Sequence, residues 1–308
     1  MSKSPSQPSK KGSKLQEPST LFSDLKSLFK GIVLIANVLP VFAGFWLALY
    51  FTNSSFTTYW DQFVLVMFGS LFVIAGALLF NNWYEVDLDR EMFRTQMRPT
   101  VTGNISLKTV FMMANFFSIV GMIILLFTTM EAVLYAGIGW FAYVVLYTFW
   151  SKRKYTLNTI LGSLSGAVTP LIGWAVVDSA IHIVPITLFV MLFIWQIPHT
   201  FAIAIKRSKE YKAAGVPMLP VVYGFDVTKR QIVIYVACLF PLPFFLISLG
   251  LPFVIVATIL NVIWLVLAMR GFYTKDDWKW AHQIFIYSLT YLTVLFMMMV
   301  VVTLPFFS

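Results

Sequence analysis

Residues 81–102 of the chain read NNWYEVDLDREMFRTQMRPTVT and place two asparagines, four carboxylates and three arginines where a long apolar run ends. Acids beside membrane-like sequence are expensive to hold, so they mark a functional site by default. Asn81, Glu85 and Asp89 are spaced four apart, which puts them on one face if the preceding helix continues through them. An oxygen-rich face of this kind suits a hard cation such as Mg²⁺, which takes one or two carboxylates and completes its shell with water and phosphate oxygens. Arg94 and Arg98, again four apart, supply charge for a phosphate. Asp87 is out of phase with that face and is a further metal candidate. The chemistry this spacing predicts is the handling of a diphosphate at a membrane edge; the plainer alternative is an interfacial loop whose charges face water and headgroups.

The elements that carry these residues are apolar. The chain of 308 residues is 59% hydrophobic and only 11% charged, against about 25% charged in soluble domains. Nine runs of roughly 20 residues match the bilayer core, near 31–51, 61–81, 109–129, 132–150, 159–177, 182–204, 231–249, 252–270 and 283–304. With the N-terminus inside, all 22 Lys and Arg fall in the tail and in alternate connections, as the positive-inside rule requires. The expected fold is an all-α polytopic membrane bundle of about nine helices, N-terminus in and C-terminus out. Residues 1–29 read as a disordered basic cytoplasmic tail, and residues 30–308 as the membrane domain with long inside loops at 82–108 and 205–230. The net charge of +9 does not point to nucleic acid, because no folded polar domain offers a basic groove. The single cysteine, Cys238, excludes an internal disulfide and a Cys-based metal site. Without a secretory signal or an Arg-bearing transit peptide, a bacterial inner membrane fits better than a mitochondrial one.

Other stretches add chemical groups. In WQIPHTFAIAIKRSKEYKAAGVPMLPVVYG, residues 195–224, His199 lies deep in an apolar run; it reads as a satisfied bundle residue, a metal or haem ligand, or a proton-transfer group. Lys206, Arg207 and Lys209 follow, explained equally by topology or by anion binding, and Glu210 is the only acid of that loop before Asp226. Residues 147–159, YTFWSKRKYTLNT, combine Lys152 and Arg153 with Asn158; they read as a stop-transfer anchor or as a dock for phosphate or carboxylate. Asn37 is an isolated amide in the first apolar run. Gly162, Gly166 and Gly173 recur in the fifth run, where small residues let helices approach closely. Thirty Phe, 13 Tyr and 10 Trp suffice to line an isoprenoid pocket and face an allylic cation.

These motifs resemble the UbiA superfamily of intramembrane prenyltransferases, and within it the protohaem IX farnesyltransferase (haem O synthase) branch. The superfamily's NDxxDxxxD motif stands here as Asn81, Asn82, Glu85 and Asp89, followed by RTxxRP at Arg94, Thr95, Arg98 and Pro99. The branch is carried by Asp87 and Asp89, by YTxxxKR at 147–153 with Asn158, by GAVTPLIGW at 166–174, by WQIPH at 195–199 and by EYKAAGVPMLPVV at 210–222. Asn37 also falls at a recurring family position. The resemblance covers about residues 30–300. It implies transfer of farnesyl from farnesyl diphosphate to the 2-vinyl group of haem B, with water addition, giving haem O. Within it, Asn81, Glu85, Asp89 and Glu210 are the catalytic candidates, with Mg²⁺ on Glu85, Asp89, Asn81 and Asp87. Arg94, Arg98, Lys152, Arg153, Lys206 and Arg207 are the diphosphate candidates, and His199, Asn37 and Asn158 are placed on the haem side. A haem O-oxidising enzyme or a terminal oxidase under assembly is the implied partner. Three positions depart from the pattern: Glu85 replaces an aspartate, Val86 an arginine, and the second acidic motif shrinks to Lys209–Glu210. The last argues against a second carboxylate-held Mg²⁺ and leaves Lys206 and Arg207 to neutralise part of the diphosphate. An aromatic quinone precursor as acceptor, a transporter and a non-catalytic haem-assembly protein are the alternatives, although transporters usually bind near the midplane and not at the membrane edge.

Overall fold

A computed structural model describes residues 20–304, and among them the chain is helical throughout, with no strand. A short amphipathic helix, α1 (Leu21–Leu28), precedes α2 (Gly31–Phe51) and α3 (Trp60–Tyr84). Two short pieces, α4 (Val86–Glu91) and α5 (Pro99–Thr102), lead to α6 (Leu107–Leu126) and α7 (Met130–Phe141), which continues in wide π turns to Ser151. Then come α8 (Asn158–Ala167), α9 (Thr169–Trp174) and α10 (Ile183–Lys206). The short α11 (Ser208–Ala213) and α12 (Leu219–Val222) precede α13 (Gly224–Cys238), which tightens into a 3₁₀ extension, and α14 (Leu251–Met269) and α15 (Asp277–Val302) close the chain.

Eight of the described helical segments are long and apolar enough to cross a bilayer. The run expected as the fifth span is instead the broken pair α8–α9. Pro170 sits at the start of α9, where its missing amide leaves one helix bond unmade, and neither piece alone reaches bilayer length. The pair nevertheless runs the length of the bundle. It starts beside Lys152, whose carbonyl oxygen accepts from Asn158 Nδ2 at 3.4 Å. It ends where Thr129 Oγ1 donates to the Ala175 carbonyl at 2.8 Å and Glu131 accepts from the Ala180 amide at 2.9 Å. The 24 residues of α10 then return about 36 Å to the first end.

The disorder expected over 1–29 does not extend to residues 21–28. Residues 1–19 lie outside the described residues, but 21–28 form α1, because Thr20 caps the Ser23 amide at 3.2 Å and Leu28 is buried. Asn82 Nδ2 donates to the Leu28 carbonyl at 2.5 Å and ties this helix to the end of α3.

The glycines of the broken segment act in packing, as their spacing predicts. A Cβ at Gly173 would overlap the Val41 carbonyl oxygen of α2, and one at Gly44 would overlap the Pro170 carbonyl. These two glycines let α2 and α9 touch backbone to backbone and so hold the broken helix in register. Gly173→Ala is expected to destabilise the detergent-solubilised protein by about 1–3 kcal/mol, seen as a lower unfolding temperature. Gly137→Ala, where a Cβ meets nothing within 4 Å, is expected to show no loss.

Candidate functional site

The α3 helix does continue through its polar end, with one adjustment. Glu85 leaves helical geometry at φ −98°, ψ 16°, but the Asp89 amide still donates to the Glu85 carbonyl at 2.8 Å, so α4 follows as an offset extension of α3. Asn81, Glu85 and Asp89 therefore line one cleft of about 610 Å³, and all three are at most 3% exposed. Carboxylates this buried need partners. Glu85 Oε2 accepts from Lys152 Nζ at 2.5 Å and Asp89 Oδ2 from Arg98 at 2.5 Å. Thr95 Oγ1 donates to the Asp89 carbonyl at 3.0 Å, which folds the loop back so that Arg98 reaches its acid.

Lys26, Lys30, Arg94, Arg98 and Lys152 line the cleft with only Glu85 and Asp89 as acids. The excess of positive charge prepares it for an anion. Burial works against the Lys152 charge, but Glu85 and Tyr147 beside it more than offset this and hold its ammonium above the usual lysine range. Lys30 shows the opposite balance. Burial and then the Arg98 guanidinium push it well below the usual lysine range, and Glu85 and Asp89 only partly counter them. An arriving anion would favour its charged form.

Lys30 was not singled out by the sequence, where it reads as one more tail lysine. It sits in a left-handed conformation, φ 49° and ψ 51°, at the junction of α1 and α2. That turn swings Nζ onto Asn81 Oδ1 at 2.5 Å, while Asn81 Nδ2 donates to Thr148 at 3.1 Å. Tyr143 and Tyr147 were also missed. They lie in the π-wound end of α7, where the Lys152 amide bonds back five residues to the Tyr147 carbonyl at 3.0 Å. The wider turn brings both rings and Lys152 to the cleft wall. Tyr143 also borders a second, apolar chamber, which descends along α3 from Leu78 to Ser70 and includes Asn37, Trp140 and Ile172.

The remaining candidates fall elsewhere. Asp87 points away from the cleft, 59% exposed, and pairs with Arg153 through two contacts of 2.6 Å. The Arg153 hydrogen bonds, outweighing partial burial, hold the Asp87 carboxyl below its usual range. Glu210 pairs with Arg207 at 3.0 Å on the 205–230 loop, outside the cleft lining. That loop sends Tyr211 and Val216 to the cleft instead, where they pack with Leu88 of α4 and join the two long loops. Lys206 hydrogen-bonds His282 at 2.8 Å. His199 bonds Ser288 at 2.7 Å between the rings of Trp195 and Phe285. Asn158 is buried behind Lys152, and Asn37 bonds the Val33 carbonyl at 2.8 Å.

A divalent cation fits the donors that line the cleft. Glu85 Oε1 is buried without a hydrogen-bond partner, one oxygen of an otherwise paired carboxylate left open. Among the described residues no group of three or more His, Cys, Asp or Glu could hold a metal unaided. Glu85 and Asp89 alone match a cation whose shell is completed by phosphate oxygens. Asn81 Oδ1 is already engaged by Lys30, which makes Asn81 an anchor for that lysine.

Comparison with known proteins agrees with this architecture. The chain is 53% identical to the protoheme IX farnesyltransferase of Oceanobacillus iheyensis over 287 residues, covering 93% of this chain and 91% of that one. It is 51% identical to protoheme IX farnesyltransferase 2 of Bacillus subtilis over 288 residues, 94% of each. A solved structure of a digeranylgeranylglyceryl phosphate synthase superposes with a TM-score of 0.73 at 18% identity, over 92% of this chain and 98% of that one. A UbiA homolog from Archaeoglobus fulgidus bound to GPP and Mg²⁺ superposes with a TM-score of 0.64 at 16% identity, over 90% and 99%. The model of the UbiA prenyltransferase family matches residues 37–304, and the chain, multi-pass and membrane-embedded, belongs to that family.

Proposed function

We propose that the chain transfers the farnesyl group of farnesyl diphosphate to the 2-vinyl group of haem B, with addition of water, releasing diphosphate and haem O. The observation that carries the prenyl-transfer half is the cationic cleft holding Glu85 and Asp89, which meets an apolar chamber at Tyr143. The acceptor is supported by relatives of about half identity over nearly the whole chain that bear the protoheme IX farnesyltransferase name.

The residues divide the work by position. Lys30, Arg94, Arg98 and Lys152 bind the diphosphate, the last two turning from their carboxylates to phosphate oxygens. Glu85 and Asp89, released by that exchange, would hold Mg²⁺. Bound there, the metal supplies Lewis-acid stabilisation of the leaving diphosphate. As the C1–O bond breaks, its electron pair leaves with the diphosphate, and the same cations meet that growing charge. The Tyr143 ring stands between cleft and chamber, with Tyr147 beside it on the cleft wall, where their faces stabilise positive charge on C1 and the apolar wall excludes water from it. The terminal vinyl carbon of haem then bonds C1, and water takes the resulting cation on the adjacent carbon and gives up a proton.

Counting the broken α8–α9 pair as a crossing gives nine passes, with the cleft and every basic connection on the cytoplasmic side of a bacterial inner membrane. Haem O would leave towards a haem O-oxidising enzyme or an oxidase under assembly. On a Cys238→Ser background, Lys275→Cys is expected to react with a membrane-impermeant maleimide only in inverted vesicles, and Ser54→Cys only in right-side-out ones. The reverse pattern would overturn the orientation.

The reaction is tested by mass spectrometry of haem extracted after incubation with haem B, farnesyl diphosphate and Mg²⁺. Glu85→Gln and Asp89→Asn are each expected to lower the haem O rate about 10²–10³-fold, and Asp87→Asn to change it less than about threefold. A prenylated aromatic product with no haem O would replace the acceptor while keeping the cleft.

A further inference from the structure

Among the described cations near the active end, Lys152, Arg98, Arg153, Arg207 and Lys229 each pair with a carboxylate and Lys26, Lys30 and Arg94 line the cleft, whereas Lys206 does neither. Its Nζ bonds His282 Nδ1 of α15 at 2.8 Å and lies over the rings of Phe285 (4.9 Å) and Trp278 (5.5 Å). Trp278 stacks on His282 at 5.6 Å and stays 58% exposed. Two basic side chains on an open aromatic wall form a seat for a flat ligand bearing carboxylates.

The same wall continues to His199. Phe285 touches both ends, 5.1 Å from the His199 ring and 4.9 Å from Lys206 Nζ. His199 lies seven residues before Lys206, two turns away on the same face of α10 and about 10 Å deeper. Its tautomer follows from its neighbour. Ser288 Oγ donates its one proton to the Phe285 carbonyl at 2.7 Å, so it accepts from His199 Nδ1–H at 2.7 Å. The lone pair is then on Nε2, the form that ligates iron.

Resting on the haem reading above, we propose that the α10–α15 seam is the haem seat, with Lys206 and His282 binding the propionates at its mouth and His199 Nε2 facing the iron. Haem carries its two propionates on one edge and its two vinyl groups on the other. Fixing the iron and the propionate edge stops the ring rotating in its own plane and turns the vinyl edge away from the mouth of the seam. This moves Lys206 from the diphosphate role its sequence position implied to a carboxylate role.

The test compares haem B with its dimethyl ester, which keeps the ring, iron and vinyl groups but removes both carboxylate charges. The wild-type enzyme is expected to show a KM for haem B about tenfold below that for the ester. Lys206→Gln is expected to raise the haem B KM by a similar factor and erase the preference, with the farnesyl diphosphate KM unchanged; Lys206→Arg is expected to restore the preference and so exclude a folding defect. A rise in the farnesyl diphosphate KM, or a preference that survives in Lys206→Gln, would overturn the seat while leaving haem as acceptor. Wild-type enzyme that farnesylates neither haem would overturn the acceptor reading itself.

Discussion

Two carboxylates buried where a membrane helix ends dictate much of the surrounding structure. Glu85 and Asp89 cannot be charged there unless cations reach them, and those cations come from far along the chain: Lys152 from the end of α7 and Arg98 from the fold-back of the 81–102 loop. A buried pair that loses one partner leaves an uncompensated charge and is strongly destabilised. The pairs therefore hold until each charge is given another partner; in the function proposed above, a metal takes the carboxylates and the diphosphate takes the cations. The open Oε1 of Glu85 is where that exchange can begin.

The rest of the bundle positions these groups. The π turns that end α7 rotate Tyr143, Tyr147 and Lys152 onto the cleft wall. Asn82 and Lys30 draw α1 across the mouth through bonds to the Leu28 carbonyl and to Asn81. Leu88, Tyr211 and Val216 pack the two long loops together. The apolar chamber below forms between α3, α7, α8 and α9, where Gly44 and Gly173 let the broken helix lie directly on α2.

The part of the site that follows from local helical spacing was legible. Asn81, Glu85 and Asp89 share a face because i, i+4 periodicity survives the kink at Glu85, and Arg94 and Arg98 follow them into the same cleft. Asp87, out of phase, does turn away. What escaped depends on geometry that residue types do not encode. Lys30 reaches the cleft through one left-handed residue, and Tyr143 and Tyr147 through a change from α to π winding. Arg153, Arg207 and Glu210 looked like diphosphate or catalytic groups by type and place, but each pairs with an opposite charge outside the cleft lining. The fifth apolar run read as one helix because its composition is continuous; Pro170 divides it, and only the bonds at its two ends show that it still runs the length of the bundle.

The exchange of partners at Glu85 is most directly tested by calorimetric binding of farnesyl thiodiphosphate, an unreactive analogue, with and without Mg²⁺. In the wild-type protein the metal is expected to tighten analogue binding by at least about tenfold, and in Glu85→Gln that gain is expected to vanish while metal-free binding through the cations persists. An undiminished metal effect in Glu85→Gln would contradict the account, because the cation would then be held by other residues.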